Sequence, residues 1–275
     1  IFIGHNAGGG TWTDADSNRN IAIGNYTMDA ATAGALDSVA VGHYALSSIT
    51  SGDYNTALGS NAGLSITTGG SNVVIGYLAG DTMTDTSNTI LIGVNAGQAI
   101  NSSDANYAIG IGKDALQDLT SGQGTTAIGY RALADVTTGD YNTAFGYAAG
   151  DGMTTGLSNT LMGWGAGGAS DFNAGGYNVM LGAEAGGSAI APFSNVYVGY
   201  RSGGQNKQGG YNVMIGDAAG YNPVANNFSG SHNVFMGYAA GYNTGADKNV
   251  FIGSSAGQYT TGSYNTFVGQ SAGLG

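Results

Sequence analysis

The sequence predicts an all-β protein, a parallel β-solenoid with one coil for each repeat of about 17 residues. Three observations predict it. A short core recurs as Asn55-Thr56-Ala57-Leu58-Gly59, Asn72-Val73-Val74-Ile75-Gly76, Asn142-Thr143-Ala144-Phe145-Gly146 and Asn265-Thr266-Phe267-Val268-Gly269. Its closing glycine, the anchor, falls at 4, 24, 42, 59, 76, 93, 110, 129, 146, 163, 182, 199, 216, 237, 253 and 269, and eight of these fifteen gaps are 17 residues. Each core is followed by alanine and a segment rich in Thr, Ser and Gly, which is turn chemistry. The repeat runs through residues 1–275 without a linker, so a single array of sixteen repeats is expected, with its caps outside the segment.

The three residues before each anchor form the strand. Runs such as Ile21-Ala22-Ile23, Val213-Met214-Ile215 and Val250-Phe251-Ile252 are apolar, often β-branched, and bounded by Asn and Gly. Alternation puts the first and third residues on one face and the middle one on the other. The middle position holds Phe2, Ala22, Ala40, Ala57, Val74, Leu91, Ala108, Ala127, Ala144, Leu161, Met180, Tyr197, Met214, Phe235, Phe251 and Phe267. Both strand faces are therefore apolar and need covering. The expectation is that the first and third residues fill the coil and that sister subunits hide the middle row. A homo-oligomer follows, with a trimer expected. The drift from Ala to Met and Phe reads as a gap between subunits that widens toward the C-terminal end.

Asn stands four residues before the anchor in twelve of the fifteen copies that include the position, with Ser38, Thr89 and Thr125 as exceptions. Stacked Asn side chains hydrogen-bond along an axis, and Asn tolerates the left-handed conformation of a corner. The anchor glycine serves the same need for positive φ. Alanine three residues after the anchor (Ala62, Ala79, Ala96, Ala132, Ala149, Ala166, Ala185) implies a narrow interior. In the seventh copy that count starts from Gly112, so Ile111-Gly112 reads as a two-residue insertion after Gly110. The return segment, such as Ser65 to Gly70, absorbs the length differences, around Gly10 to Asn18 and Tyr221 to Ser231. Sixteen coils stacked at strand spacing would make a rod of roughly 75 Å.

The Asn-Thr-Ala-Ile-Gly style of core, followed by Ala and a Thr-Thr-Gly return, resembles the head repeats of YadA-like trimeric autotransporter adhesins. It is also similar to the Asn-Thr-Ala-Ile-Gly arrays of phage tail-fibre-like and bacterial surface proteins. The resemblance implies a left-handed β-roll in a trimer, displayed outside the cell or on a virion fibre. The adhesin-head period is nearer fourteen residues, so the return loop here is larger.

Composition excludes several functions. The net charge is −11 with six Lys and Arg, which leaves no cation cluster for nucleic acid or for an anionic membrane. There is no cysteine, hence no disulfide and no thiolate chemistry, and no apolar run long enough for a membrane span, so direct membrane insertion is not expected. No signal peptide opens the sequence. His5, His43 and His232 lack zinc-site spacing, and acidic residues do not recur as in calcium-binding nonapeptide arrays. No cofactor and no metal are expected.

Gly253-Ser254-Ser255-Ala256-Gly257 and Gly269-Gln270-Ser271-Ala272-Gly273 match the nucleophile-elbow pattern only because the repeat itself has that form. Asn25-Tyr26-Thr27, Asn101-Ser102-Ser103 and Asn227-Phe228-Ser229 are glycosylation sequons of a kind that Asn- and Thr-rich sequences yield by chance. The best candidates for surface contact are the aromatics just after the anchor: Tyr77, Tyr130, Tyr147, Trp164, Tyr200 and Tyr238. Rows of rings bind sugars and proteins, host-surface glycans among them, or they merely stack along the solenoid or seal a subunit boundary. The expected function is a non-catalytic structural and adhesive fibre segment acting by rigidity and multivalency. The alternatives are a carbohydrate- or ice-binding solenoid and a polysaccharide-degrading enzyme.

Overall fold

The computed structural model describes residues 1–10, 19–30, 34–168, 175–188, 192–205, 209–223 and 230–274. The sequon at Asn227 and parts of the longer inserts, including 11–18, lie outside the described residues. The protein is an all-β parallel solenoid, with two compact units, Ile1–Asp140 and Tyr141–Gly275.

The first unit contains β1 (Phe2–Ile3), β2 (Ile21–Ile23), β3 (Val39–Val41), β4 (Thr56–Leu58), β5 (Val73–Ile75), β6 (Ile90–Ile92), β7 (Ile109–Ile111) and β8 (Thr126–Ile128). The second contains β9 (Thr143–Phe145), β10 (Thr160–Met162), β11 (Val179–Leu181), β12 (Val196–Val198), β13 (Val213–Ile215), β14 (Val234–Met236), β15 (Val250–Ile252) and β16 (Thr266–Val268). Within each unit every strand pairs in parallel with its neighbour in sequence, in register, as in Val73↔Ile90 and Met214↔Phe235. Strand, tight turn, return segment and next strand make one coil.

The structure reverses the expected assignment of the strand faces. The middle residues from Ala22 through Phe251 are fully buried inside their own coil, not beneath another subunit. The first and third residues look outward and are half-buried or exposed; Leu58 is 49% and Phe145 52% exposed. Alternation was right, but with apolar residues on both faces it could not say which face lies inside.

The drift in middle-residue size therefore has an internal cause and does not reflect a gap between subunits. Seven residues after the anchor, seven consecutive coils bury an aliphatic or thioether side chain: Ile49, Ile66, Met83, Ile100, Leu119 and Val136 in the first unit, and Met153 in the second. These occupy the space left by mostly small middle residues. From Leu161 onward the middle residues are large, and the later position no longer holds a buried aliphatic side chain among the described residues: it is exposed Pro223, Thr260, or buried Thr244, whose hydroxyl donates to the Gly257 carbonyl at 3.0 Å. Phe235 and Phe251 stack with centroids 5.0 Å apart, and Phe251 stacks on Phe267 at 5.1 Å.

A second compensation operates four residues after the anchor. Met28, Leu46, Leu116 and Leu133 stand there where the middle residue is Ala22, Ala40, Gly110 and Ala127. Large middle residues face glycine instead: a Cβ on Gly257 would lie 2.3 Å from the Phe251 ring. In these coils a large residue at one of the two positions meets a small one at the other, as close packing favours.

The seventh copy is corrected too. Gly110 is the middle residue of β7, paired with Leu91 and Ala127, and Gly112 is the anchor. The extra length lies upstream, where Ser103–Ala105 form a 3-10 turn whose N-cap Ser102 accepts from the Asp104 amide. Ala108, not Asn106, then precedes the strand.

The asparagine column forms the predicted ladder. In the second unit it runs unbroken through Asn142, Asn159, Asn178, Asn195, Asn212, Asn233, Asn249 and Asn265. The Asn178 side-chain oxygen accepts the Asn195 backbone N–H at 3.0 Å and the Asn195 amide at 3.1 Å. The Asn178 amide donates to Asn159 at 2.9 Å and to the Pro192 carbonyl of the return segment at 2.8 Å. A buried amide is fully satisfied in this way. In the first unit Asn55, Asn72 and Thr89 repeat the pattern, with the Ser38 hydroxyl accepting from the Asn55 N–H.

The left-handed corner, however, belongs to the residue two before the strand, which in most copies is the one before the asparagine. Tyr54, Tyr107, Tyr141, Tyr177, Tyr211 and Tyr264 have φ between 56° and 68°. The anchor glycines, at φ from 126° to 143°, also stack too closely for a side chain: a Cβ on Gly59 would sit 2.5 Å from the Gly76 carbonyl oxygen.

Replacing Asn178 by Leu strands buried donors and acceptors in three coils. Chemical denaturation should show a loss of roughly 2–3 kcal/mol; an unchanged midpoint would refute the ladder's role. Gly257→Leu should destabilise by overpacking, whereas Gly257→Leu with Phe251→Ala recreates the Ala40–Leu46 pairing. The double variant should recover most of the lost stability, and simple additivity of the two losses would disprove the exchange.

Candidate functional site

The surface chemistry follows from the coil. The turn after each anchor has its first residue outside, its third residue (alanine) buried, and a left-handed residue between them, such as Asn61, Glu184 or Arg201. All six predicted aromatics, Tyr77, Tyr130, Tyr147, Trp164, Tyr200 and Tyr238, occupy that first position and are exposed. Tyr77 and Tyr130 lie in the first unit and the other four in the second. The row is interrupted in the second unit by Ala183 and Asp217. Two of the rings carry cations: Lys113 Nζ lies 5.8 Å from the Tyr130 centroid, and the Arg201 guanidinium lies 4.9 Å from that of Tyr200. Such contacts contribute about 0.5–1 kcal/mol at exposed sites.

Sequence reasoning missed a second aromatic row. The corner tyrosines Tyr54, Tyr107, Tyr141, Tyr177, Tyr211 and Tyr264 are all exposed. In the second unit Tyr177, Phe193, Tyr211 and His232 form a line of ring contacts, with centroid separations of 5.2, 6.4 and 5.0 Å. The signal was the recurrent Tyr-Asn pair before the strand. It passed unread because tyrosine is not a residue ordinarily placed in the left-handed region.

The densest chemistry is in the second unit, where an open trough of about 430 Å³ is lined by Tyr147, Trp164, Glu184, Arg201, Gln205 and Tyr221 among others. Arg201 Nε donates to Glu184 Oε2, and the guanidinium also lies 6.0 Å from the Tyr221 centroid. The hydrogen bond to Glu184 raises the Arg201 pKa above its ordinary value, against a small opposing effect of burial. Gln205 Nε2 donates to Ser188 Oγ at 3.3 Å. Rings, a paired carboxylate and guanidinium, a carboxamide and a hydroxyl therefore share one concavity.

The other sequence motifs take structural places. Ser255 and Ser271 are the left-handed residues of ordinary repeat turns, equivalent to Asn61, and another coil turn follows the strand rather than a helix. His5 and His43 contact Tyr26, at centroid separations of 5.3 and 6.0 Å. No group of three or more metal-ligating side chains occurs among the described residues, and no helix there is long and apolar enough to cross a membrane. No protein-family model, curated protein or solved structure matches the chain. The class is therefore defined by the fold alone: a β-solenoid repeat protein.

One titratable group stands apart from the surface rows. Asp81 has a buried Oδ1 without a hydrogen-bond partner, and desolvation raises its pKa while a hydrogen bond from Gln98 opposes the rise. A raised folded-state pKa means that the native state binds the proton more tightly than the unfolded chain. Stability is therefore lost as pH climbs from below the ordinary carboxylate value through the folded pKa. Asp81→Asn should be more stable than wild type at neutral pH, with the advantage vanishing in acid; thermal melts across that range check it, and a pH-independent difference would be the contrary result.

Proposed function

We propose that the chain is a non-catalytic structural and adhesive fibre segment of a surface appendage, extracellular or on a virion, assembled as a homotrimer and acting by stiffness and multivalent contact. The observation that supports this most directly is the outward strand face. In each unit its two rows, Ile21 and Val73 beside Leu58 and Ile75 in the first and Val196 and Val213 beside Ile215 and Met236 in the second, carry apolar or β-branched residues coil after coil. A regular apolar surface of this kind is characteristic of an interface rather than of free solvent exposure. In this reading the flanking rows, and not the middle row, meet the sister subunits.

Stiffness comes from the coil-to-coil hydrogen bonds and the in-register pairing. The low charged fraction of 8% and the resemblance to YadA-like head repeats and tail-fibre-like arrays favour the same reading. Thr56, Thr126, Thr143 and Thr160 share the first strand position with Val and Ile, so the face lacks the unbroken threonine lattice that an ice-binding reading would require. The serine motifs sit in ordinary repeat turns, and in this reading the surface rows carry the function.

Sedimentation equilibrium should return the mass of three chains. Ile75→Lys with Ile215→Lys should leave the circular dichroism of the fold intact and yield monomers, since both side chains point away from the interior. A wild type that stays monomeric at tens of micromolar would overturn the proposal.

A further inference from the structure

The trough in the second unit is built by a departure from the repeat. Five residues after the anchor most coils carry a side chain, as at Ser47, Leu64, Gln98 and Asp151. Three successive coils instead have Gly168, Gly187 and Gly204 there, and Tyr221 follows in the next. A Cβ on Gly204 would lie 3.1 Å from the Tyr221 ring, and one on Gly168 would lie 3.0 Å from the Ala148 carbonyl oxygen. Ala148 and Gly165 shorten the adjoining turn position as well. The missing side chains open a floor of backbone, bounded by rings at both ends and crossed by the Glu184–Arg201 pair.

The rings are presented to solvent, Tyr147 at 55% and Trp164 at 53% exposure. The polar groups are held in place by one another and by ring contacts, Arg201 by Glu184, Tyr200 and Tyr221, and Gln205 by Ser188. An aromatic wall beside preorganised planar polar groups matches a molecule that is apolar on its flat face and hydroxylated around its rim. A pyranose has that constitution. The volume also falls within the range of small-molecule clefts, about 300–1,000 Å³. Charge narrows the class further. Glu184 and Arg201 neutralise each other, and a chain of net charge −11 repels uronic or sialic acids at long range.

We propose that this trough is a saccharide-binding site that seats the apolar face of a neutral pyranose, within a short oligosaccharide, against Trp164 and Tyr147 and takes its hydroxyls on Glu184, Arg201 and Gln205. The inference rests on the adhesive part of the function proposed above and names its ligand class; it does not depend on the trimer. One weak site per chain gains strength from display in several copies.

The test is a glycan microarray probed with the full chain, with neutral, sialylated and uronate-containing arms and proline-rich peptides as a further arm, followed by calorimetry with the best neutral oligosaccharide. Binding should be confined to neutral glycans. Trp164→Ala should weaken it at least tenfold, and so should Gly187→Leu, which restores the side chain that Leu64 provides in the first unit. Thermal melting and sedimentation of the same samples keep the variants interpretable: Gly187→Leu leaves the rings in place, so it serves if Trp164→Ala fails to fold. Absence of neutral-glycan binding, binding only to acidic glycans or to the peptides, or equal binding by both folded variants would overturn the site. If the trimer persists in that case, only the site fails; a monomeric wild type that still binds neutral glycans sinks the assembly and leaves the site standing.

Discussion

The structure depends on the amide ladder before each strand. A buried amide has two donors and an acceptor with two lone pairs, and leaving any of them unmet costs roughly 1–3 kcal/mol. Here the demand is met by the same residue one coil away and by a carbonyl of the return segment. The side-chain amides of Asn159, Asn178, Asn195, Asn212, Asn233 and Asn265 all donate toward the preceding coil, so these bonds share one direction. Strand start, corner and return are thereby fixed together. The one amide left short is Asn249, whose Nδ2 is buried without a partner.

Around that column the coil solves a packing problem with three interchangeable contributors: the middle strand residue, the fourth residue after the anchor and the seventh. Early coils use a small middle residue and a large later one, and the last coils do the reverse. Leu46 opposite Ala40 and Gly257 opposite Phe251 are two solutions of one volume equation. The buried apolar side chains of the first unit are aliphatic or thioether, whereas the last coils of the second bury Phe235 and Phe251.

Much of the fold was legible in the sequence. Strand positions, the anchor glycine, the buried alanine and the stacked asparagine each leave a fixed signature at a fixed offset. What could not be read was the inside from the outside. In Val213-Met214-Ile215 both faces are apolar, and alternation is silent about which one meets the core. The covariation of the middle residue with its two partners held the answer, but only once their contact was known. Gly110-Ile111-Gly112 offered two anchors, and only pairing with Leu91 and Ala127 chose between them. At the surface, the row from Tyr77 to Tyr238 was visible as a repeated offset, whereas the trough beside Trp164 was not. It arises from side chains that are missing at Gly168, Gly187 and Gly204, in a sequence where glycine is common and so draws no notice.

The size exchange inside the coils bears on how such an array changes length over generations. Slippage that copies a whole unit within a run of like coils inserts a segment whose amide, glycine and alanine already fit their new neighbours. A copy moved from the Phe-bearing end to the Ala-bearing end brings the wrong filling and leaves a hole or a clash at each seam. Duplication of a neighbouring unit therefore costs little packing energy, whereas transposition along the array is penalised at both seams.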